Sequence, residues 1–260
     1  MKCLNIYRIV IFFMLLNSIS LFGQINSAKK DLLLIREDKV YPSMTQDYEV
    51  SLGDLKSFLE KNNVKGFNYF THLHDNFTYS HVTPIKELKN LNNGITEFFA
   101  KKINNPELDV ILNYLSNTIS SFNYYIVQFN PELSYIPNGE DWLENNQYRK
   151  WHYYYFYPGT STSVEEVLAA YKQLYLDKKV EMGFKVFSGF LGVEQPLYIL
   201  TTWAENPLDF QADLDKASNL VGKEGTTLWN LLMGYVQETK TVEGWFLPQY
   251  SFAPGMKFAE

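Results

Sequence analysis

Cysteine is nearly absent from this chain. The one cysteine, Cys3, lies ahead of an apolar run near the N-terminus, so residues 24–260 contain none. That part of the chain can form no disulfide, no thiolate metal site and no cysteine nucleophile. It is long enough to be stabilised by a hydrophobic core alone, and two domains of roughly 100–150 residues are the ordinary expectation for such a length.

Positive charge is also scarce. The chain has 23 Lys and Arg residues against 29 Asp and Glu residues, which gives a net charge of −6. Nucleic-acid binding needs clustered Lys and Arg to contact phosphates, so this balance excludes a nucleic acid as partner. Basic residues are adjacent at only four places, which we interpret as solvated surface: Lys29-Lys30, Lys101-Lys102, Arg149-Lys150 and Lys178-Lys179.

No apolar run in the N-terminal region is long enough to span a membrane. Ile9–Leu16 is uninterrupted but short, because a spanning helix needs about 20 residues. It follows Lys2 and Arg8 and precedes small and polar residues, which is the layout of a secretory signal peptide over residues 1–23. We therefore predict a secreted or periplasmic protein with no membrane contact after cleavage; an uncleaved anchor is the alternative. Loss of Lys2 and Arg8 changes the net charge from −6 to −8.

The remaining chain contains an internal repeat. The spacing of apolar residues predicts the element order βαββαβ over residues 31–137 and again over 150–254, joined by a polar linker at 138–149. The second copy is predicted to close with a strand over residues 244–250, after a helix that ends near residue 235. Three matched stretches support the duplication: Val40-Tyr41-Pro42 with Phe156-Tyr157-Pro158, Lys65-Gly66-Phe67 with Met182-Gly183-Phe184, and Leu133–Pro137 with Gln249–Pro254.

This order predicts an α+β fold made of two tandem ferredoxin-like repeats, whose antiparallel sheets pack together as a pseudo-dimeric α/β barrel. The chain resembles the dimeric α/β-barrel superfamily, which includes the antibiotic-biosynthesis monooxygenase, NIPSNAP and chlorite-dismutase groups. The resemblance rests on the order of the elements, on the Tyr-Pro and Gly-Phe pairs at the ends of strands, and on the duplication. The chain is also similar to secreted proteins of Bacteroidetes-type bacteria, from which no activity carries over. The resemblance implies a ligand or haem between a sheet and its helices, or inside the barrel.

Three of the four histidines lie in one predicted hairpin, Lys65–Pro84. With Asp75-Asn76 as a two-residue turn, His72 pairs with Tyr79 and Phe70 pairs with His81, so all three histidines share one face. A longer turn would shift the register by one residue and divide them between two faces. The candidate cavity residues are Phe70, His72, His74, Tyr79, His81, His152 and Trp203.

These residues leave several functions open. Binding of a small, partly apolar ligand in the barrel cavity is the first. The second is an oxidoreductase: metal-dependent through His72, His74 and His81, haem-dependent, or a cofactor-free monooxygenase. The resemblance places a haem ligand on a helix of the second half. The only histidine in that half is His152, which lies on a predicted strand. For cofactor-free chemistry, Asn68 is a further candidate beside His72, Tyr79 and Trp203. A structural or partner-binding module is the third.

No G-x-S-x-G, Walker, G-x-G-x-x-G, C-x-x-C or H-E-x-x-H motif is present to decide between these functions. Aromatic residues make up 17% of the chain, nearly all of them Tyr and Phe. A surplus of tyrosine is typical of a cavity or interface in which one end of the ring is wet. The sequence therefore predicts the architecture more fully than the reaction, and it leaves the cofactor undetermined.

Overall fold

The first repeat has the predicted order in the computed structural model, which describes residues 31–85, 88, 105–137 and 146–255. Its strands are β1 (Leu32–Val40), β2 (Phe70–His74), β3 (Thr78–Ile85) and β4 (Ile119–Phe129), and its helices are α1 (Thr45–Lys61) and α2 (Pro106–Thr118). Asn105 caps α2, since its side chain accepts a hydrogen bond from the Glu107 amide. The helical segment predicted after Pro84 lies almost entirely outside the described residues.

The second repeat has the same order. It contains β5 (Tyr148–Phe156), α3 (Ser161–Lys178), β6 (Phe184–Leu191), β7 (Leu197–Ala204), α4 (Pro207–Met233) and β8 (Val236–Phe246). Helix α4 is kinked at Gly222, whose φ of 53° is left-handed. The predicted bounds of the closing strand, 244–250, were wrong, because β8 runs from Val236 to Phe246. Its first half was missed since it is polar and exposed and so gives little apolar signal.

The eight strands form one closed antiparallel barrel in the order β1-β3-β2-β8-β5-β7-β6-β4. Each repeat contributes a four-stranded ferredoxin-like sheet, and the two sheets join edge to edge where β2 pairs with β8 and β4 pairs with β6. The fold is therefore α+β, with two tandem repeats that build a pseudo-dimeric α/β barrel. Closure leaves none of the eight described strands with a free edge, and the described residues from Asp31 onward form one compact unit.

A short strap after each repeat holds the other repeat. Ser134 Oγ accepts a hydrogen bond from the Val186 amide, and Ser251 Oγ accepts one from the Thr71 amide, both at 2.9 Å. Tyr135 pairs with Phe184, and Phe252 pairs with Tyr69, each through two backbone hydrogen bonds. The straps make Tyr69 the counterpart of Phe184, so the predicted match of Phe67 with Phe184 was wrong. When the ends of α1 and α3 are aligned, repeat 1 has one more residue between its helix and Tyr69 than repeat 2 has between its helix and Phe184.

The core is divided by the barrel wall. Inside the barrel, a cluster around Ile35, Trp151, Tyr153 and Val242 fills the interior. Outside it, α1 and α2 cover one sheet with a cluster that includes Tyr48 and Tyr79, and α3 and α4 cover the other. Alternate residues of every strand therefore face either the barrel interior or the helices. Among the described residues, no helix is both long and apolar enough to cross a membrane.

Candidate functional site

The hairpin that carries three histidines has a longer turn than predicted. His72 pairs with Ser80 and Phe70 pairs with Val82, one residue away from the predicted register, which was wrong. The turn has three residues, because Phe77 adopts a left-handed backbone with φ of 60° and the Asn76 side chain accepts a hydrogen bond from the Thr78 amide. Non-glycine residues rarely adopt this conformation, so the sequence around Asp75-Asn76 did not indicate a left-handed third turn residue.

The new register divides the histidines between the two faces of the sheet. His72 and His74 point into the barrel, where both rings lie edge-on to Trp151, with ring centroids 5.4 and 5.5 Å away. His81 points outward to α1, where its Nε2 is 2.7 Å from the Tyr48 hydroxyl. The predicted single face with three imidazoles does not exist.

The histidines inside the barrel are sealed from water. Burial lowers the pKa of His74 to about 4, with the positive charge of Lys240 acting in the same direction. His74 Nε2 is 2.7 Å from Ser80 Oγ. Burial, together with Arg149 and the other two histidines, lowers the pKa of His72 well below its usual range. Its Nδ1 is buried and has no hydrogen-bond partner among the described residues.

Arg149 lies inside the barrel as well, which corrects its assignment to solvated surface. Only 2% of the residue is exposed, its guanidinium lies 6.0 Å from the centre of the Phe246 ring, and it donates a hydrogen bond to the Tyr148 carbonyl. Burial lowers its pKa to about 9. Arg149 lies two residues before Trp151, which His72 and His74 contact, so both side chains are on the inward face of β5. As part of a basic pair at the start of a strand, Arg149 carried no sequence signal of burial.

The outward face of the same hairpin carries a buried polar network between the sheet and α1. Tyr48 donates a hydrogen bond of 2.8 Å to Asp38 Oδ2, and Arg36 Nε donates one of 2.6 Å to Asp38 Oδ1. On the other side of the imidazole, His81 Nδ1 is 3.0 Å from Thr71 Oγ1, which in turn donates to the Tyr250 carbonyl at 2.7 Å. Tyr48 and Thr71 are fully buried, and Asp38 and His81 nearly so.

This network is one proton short when His81 is neutral. The chain Asp38–Tyr48–His81–Thr71–Tyr250 contains four contacts of hydrogen-bond length, and each requires one proton. The two hydroxyls and a neutral imidazole supply three, since the Asp38 carboxylate supplies none. Burial lowers the pKa of His81 to about 4, although Asp38 opposes that shift. At neutral pH the network therefore has one vacant proton position, at a buried base.

The second repeat lacks this network although it has the same framework. The strand registers and the equivalent helices place Tyr154 opposite Asp38, Val164 opposite Tyr48, Leu200 opposite His81 and Val186 opposite Thr71. The neighbouring hydrogen bond is kept: Tyr79 donates to Glu49 in repeat 1 and Tyr198 donates to Glu165 in repeat 2. Three aliphatic residues and a tyrosine therefore satisfy the same fold, and the polar set is not a requirement of the architecture.

The other candidate residues lie apart from one another. Tyr79 is on the outward face, beside Tyr48, and Phe70 is on the inward face by register. His152 lies outside the barrel in repeat 2, with its Nδ1 3.0 Å from Thr241 Oγ1 and its ring stacked on Tyr154. Trp203 lies at the end of β7, over Gly183, where any side chain would collide with the indole. The seven residues do not line one cavity, and their ligand-binding role stays a prediction.

A metal or haem does not fit these residues. No group of three His, Cys, Asp or Glu side chains in the described part of the chain is arranged to hold a metal ion. A haem needs an axial ligand, and the resemblance places a histidine on a helix of the second half. Neither α3 nor α4 contains a histidine. His152, on β5, already contacts Thr241, so we derive no chemistry through either group.

Comparisons with known proteins agree on the fold. No protein-family model matches the chain, and no curated protein matches it. An anthrone oxidase-like protein of known structure covers 90% of this chain and 97% of its own, with a TM-score of 0.62 and 12% identity. A monooxygenase-like protein from Lactobacillus acidophilus NCFM covers 83% and 93%, with a TM-score of 0.53 and 8% identity.

Chlorite dismutase from Candidatus Nitrospira defluvii is a third structural neighbour. It covers 84% of this chain and 92% of its own, with a TM-score of 0.51 and 11% identity. These proteins are ferredoxin-like α+β barrels, and at such low identity the likeness shows the fold alone. The similarity to Bacteroidetes-type secreted proteins stays a prediction.

Proposed function

We propose that the protein binds a small, partly apolar molecule at the first repeat and accepts a proton from it through the Asp38–Tyr48–His81 network. The single observation that carries this proposal is the asymmetry between the repeats. Buried polar networks are costly unless every member is satisfied. Here one repeat keeps a network with a vacant proton position, whereas the other fills the same positions with Tyr154, Val164 and Leu200.

Two further features support a site on the helix side of the first sheet. The network reaches solvent at Arg36, whose side chain is 25% exposed and lies within 5.5 Å of the Phe122 and Tyr124 ring centres. Phe122 is itself 62% exposed. An apolar surface beside a partly buried cation is suited to an aromatic or otherwise apolar molecule with a polar group.

The oxidoreductase alternative takes the form of cofactor-free oxygenation in this proposal. The structural neighbours include an anthrone oxidase-like and a monooxygenase-like protein. A base that removes a proton from a hydroxylated aromatic compound would make that compound more reactive toward oxygen. For His81 to be that base, the negative charge of the bound compound has to raise the pKa of His81 from about 4. This version needs no metal, and it assigns proton acceptance to His81, with Tyr48 and Thr71 as positioning residues.

The test is a screen of hydroxylated aromatic compounds against the mature protein, with binding followed by the ultraviolet absorbance of the compound, which distinguishes a phenol from a phenolate. We expect at least one compound to bind as its phenolate at pH 7, and His81→Leu to lose the phenolate absorbance. The control Tyr198→Phe, in the second repeat, should keep it. Binding that is unaffected by His81→Leu and Tyr48→Phe would overturn the proposal. Oxygen consumption with the bound compound tests the oxygenase version.

Export is a separate part of the proposal. Its support is the layout of residues 1–23 in the sequence. We expect the protein isolated from the producing cell to begin at Gln24, as shown by N-terminal sequencing, and to be found in the periplasm or the medium. A protein that keeps residues 1–23 and sediments with membranes would favour the uncleaved anchor.

A further inference from the structure

A groove lies between the second half of α1 and the strap that follows β8. Its volume is about 870 Å³, and we call it the strap groove. It is separate from the Asp38–Tyr48–His81 network, although Ser251 lines the groove and accepts the hydrogen bond from the Thr71 amide. The residues used below that line it are Lys56, Leu59, Glu60, Val64, Lys65 and Phe252.

The equivalent position in the second repeat is filled by two tyrosine rings. Tyr135 and Tyr175 pack edge to face with ring centres 5.7 Å apart, and the Tyr135 hydroxyl donates to the Val180 carbonyl at 2.8 Å. The hydrogen bonds that end the two helices place Leu59 opposite Tyr175, and the straps place Phe252 opposite Tyr135. The first repeat therefore has a smaller residue and a missing hydroxyl where the second has a tyrosine pair.

A tyrosine with a buried hydroxyl packs against Phe252, one of the residues that line the groove. Tyr69 is 4% exposed, its ring centre is 6.2 Å from that of Phe252, and its hydroxyl has no hydrogen-bond partner among the described residues. Burial, and then the carboxylate of Glu60, raises its pKa above the usual range. Phe184 is the counterpart in the second repeat, so this hydroxyl is again particular to the first. A buried phenol without a partner is costly unless a ligand or water satisfies it.

The charges at the groove favour an anion. Lys56 and Lys65 line it together with the single carboxylate of Glu60. Lys56 makes one hydrogen bond of 3.3 Å to the Pro248 carbonyl, whereas its counterpart Lys172 makes two, at 3.1 and 3.0 Å, to the opposite strap. The ammonium of Lys56 therefore has more hydrogen-bonding capacity left for a ligand than its counterpart has.

We propose that the strap groove binds a small amphipathic anion, with an apolar body against Val64 and the strap and a carboxylate or sulfonate near Lys56. The inference goes beyond the function proposed above and does not depend on it. Its basis is the groove itself, the smaller Leu59 and the hydroxyl-free Phe252 where the second repeat has two tyrosines, the buried hydroxyl of Tyr69, and Lys56, which makes one hydrogen bond where its counterpart makes two.

The experiment uses anilinonaphthalene sulfonate, an apolar ring system with one sulfonate, titrated by fluorescence into the folded full-length chain. We expect saturable binding at one site. The substitution Val64→Trp should weaken binding by at least about tenfold, because the indole fills the groove. Lys56→Met should weaken it by about fivefold or more, and the matched control Lys172→Met should not.

Lys56→Met keeps the test decisive if Val64→Trp does not fold. Near-ultraviolet circular dichroism of each variant confirms that the dye reports on the native state, since molten states also bind it. Dye binding that survives both the filled groove and Lys56→Met, or no dye binding by the wild-type chain, would overturn the proposal. Equal weakening by Lys56→Met and Lys172→Met would show attraction by overall charge and would overturn it too.

Discussion

The Tyr48 hydroxyl lies 2.7 Å from His81 Nε2 while it donates a hydrogen bond to Asp38. A phenol has one proton, and Tyr48 donates it to Asp38, so Tyr48 must accept the hydrogen bond that it forms with His81. His81 must then carry its proton on Nε2, which leaves Nδ1 as the atom with a lone pair facing Thr71. This relationship fixes which atom of the network can take up a proton, and several predictions depend on it.

Removal of the Tyr48 hydroxyl should destabilise the fold. Tyr48→Phe leaves both Asp38 and His81 short of one hydrogen bond in a buried site, at a cost of about 1–3 kcal/mol. The measurement is the free energy of unfolding in urea at pH 7. Tyr171→Phe is the control, because its hydroxyl is only partly buried and bonds the Gly225 carbonyl at 3.2 Å. A Tyr48→Phe protein as stable as the wild type would contradict the geometry.

The two tyrosine–glutamate pairs should respond alike. Tyr79 and Tyr198 donate to Glu49 and Glu165 at 2.7 and 2.8 Å, in equivalent places of the two repeats. Phenylalanine at either position should cost about 0.5–1.5 kcal/mol, because each loses one partly buried hydrogen bond. Urea unfolding of both variants checks the prediction. Costs that differ by more than this range would argue against the equivalence of the repeats.

The two strap serines should contribute equally to stability, but only Ser251 should influence the environment of His81. Ser134→Ala and Ser251→Ala each leave a buried backbone amide of the other repeat without its acceptor, which should cost about 1–3 kcal/mol. Ser251 bonds the amide of Thr71, the residue in contact with His81. The imidazole signals of His81 in nitrogen-15 NMR should therefore shift in Ser251→Ala and stay in place in Ser134→Ala. The reverse pattern would contradict the assignment.

Stability should fall as the pH falls from 6.5 to 4. In the folded state burial lowers the pKa of His74 to about 4, whereas the unfolded chain protonates this residue near 6.5. Between these values the unfolded state binds more protons, so the stabilisation from a neutral His74 is complete above pH 6.5 and is lost below it.

For His74 alone the loss over this range is about 3 kcal/mol. His74→Gln should therefore flatten the dependence of unfolding free energy on pH by about one proton. Urea unfolding at half-unit steps of pH measures the slope. A slope identical to that of the wild type would show that His74 titrates normally in the folded protein.

The architecture could be predicted because it depends on features that sequence displays directly. The dipeptides Tyr41-Pro42 and Tyr157-Pro158 end the first strand of each repeat. The amides of the two tyrosines donate equivalent hydrogen bonds to the carbonyls of Thr118 and Tyr235. Apolar periodicity then supplies the helices. The exposed first half of β8 was missed because pairing with β5, and not its own composition, makes it a strand.

The site was harder to predict, because it depends on one backbone angle. The left-handed Phe77 adds a third residue to the turn, and that single residue moves His81 to the opposite face from His72 and His74. Tyr48 was visible only as one of the apolar positions of α1. The signal that could have found the network was the alignment of the two repeats, which places Val164 opposite Tyr48.

The central claim is that the first repeat keeps its network for chemistry, since the second repeat folds without one. Arg36→His, Asp38→Tyr, Tyr48→Val and His81→Leu together copy His152, Tyr154, Val164 and Leu200, so that no charged member of the network is left without its partner. The most direct measurement is the urea unfolding midpoint of this quadruple variant at pH 7. We predict a midpoint equal to or above that of the wild-type protein. A midpoint that falls steeply, or a chain that no longer folds, would show that the network serves the fold and would contradict the claim.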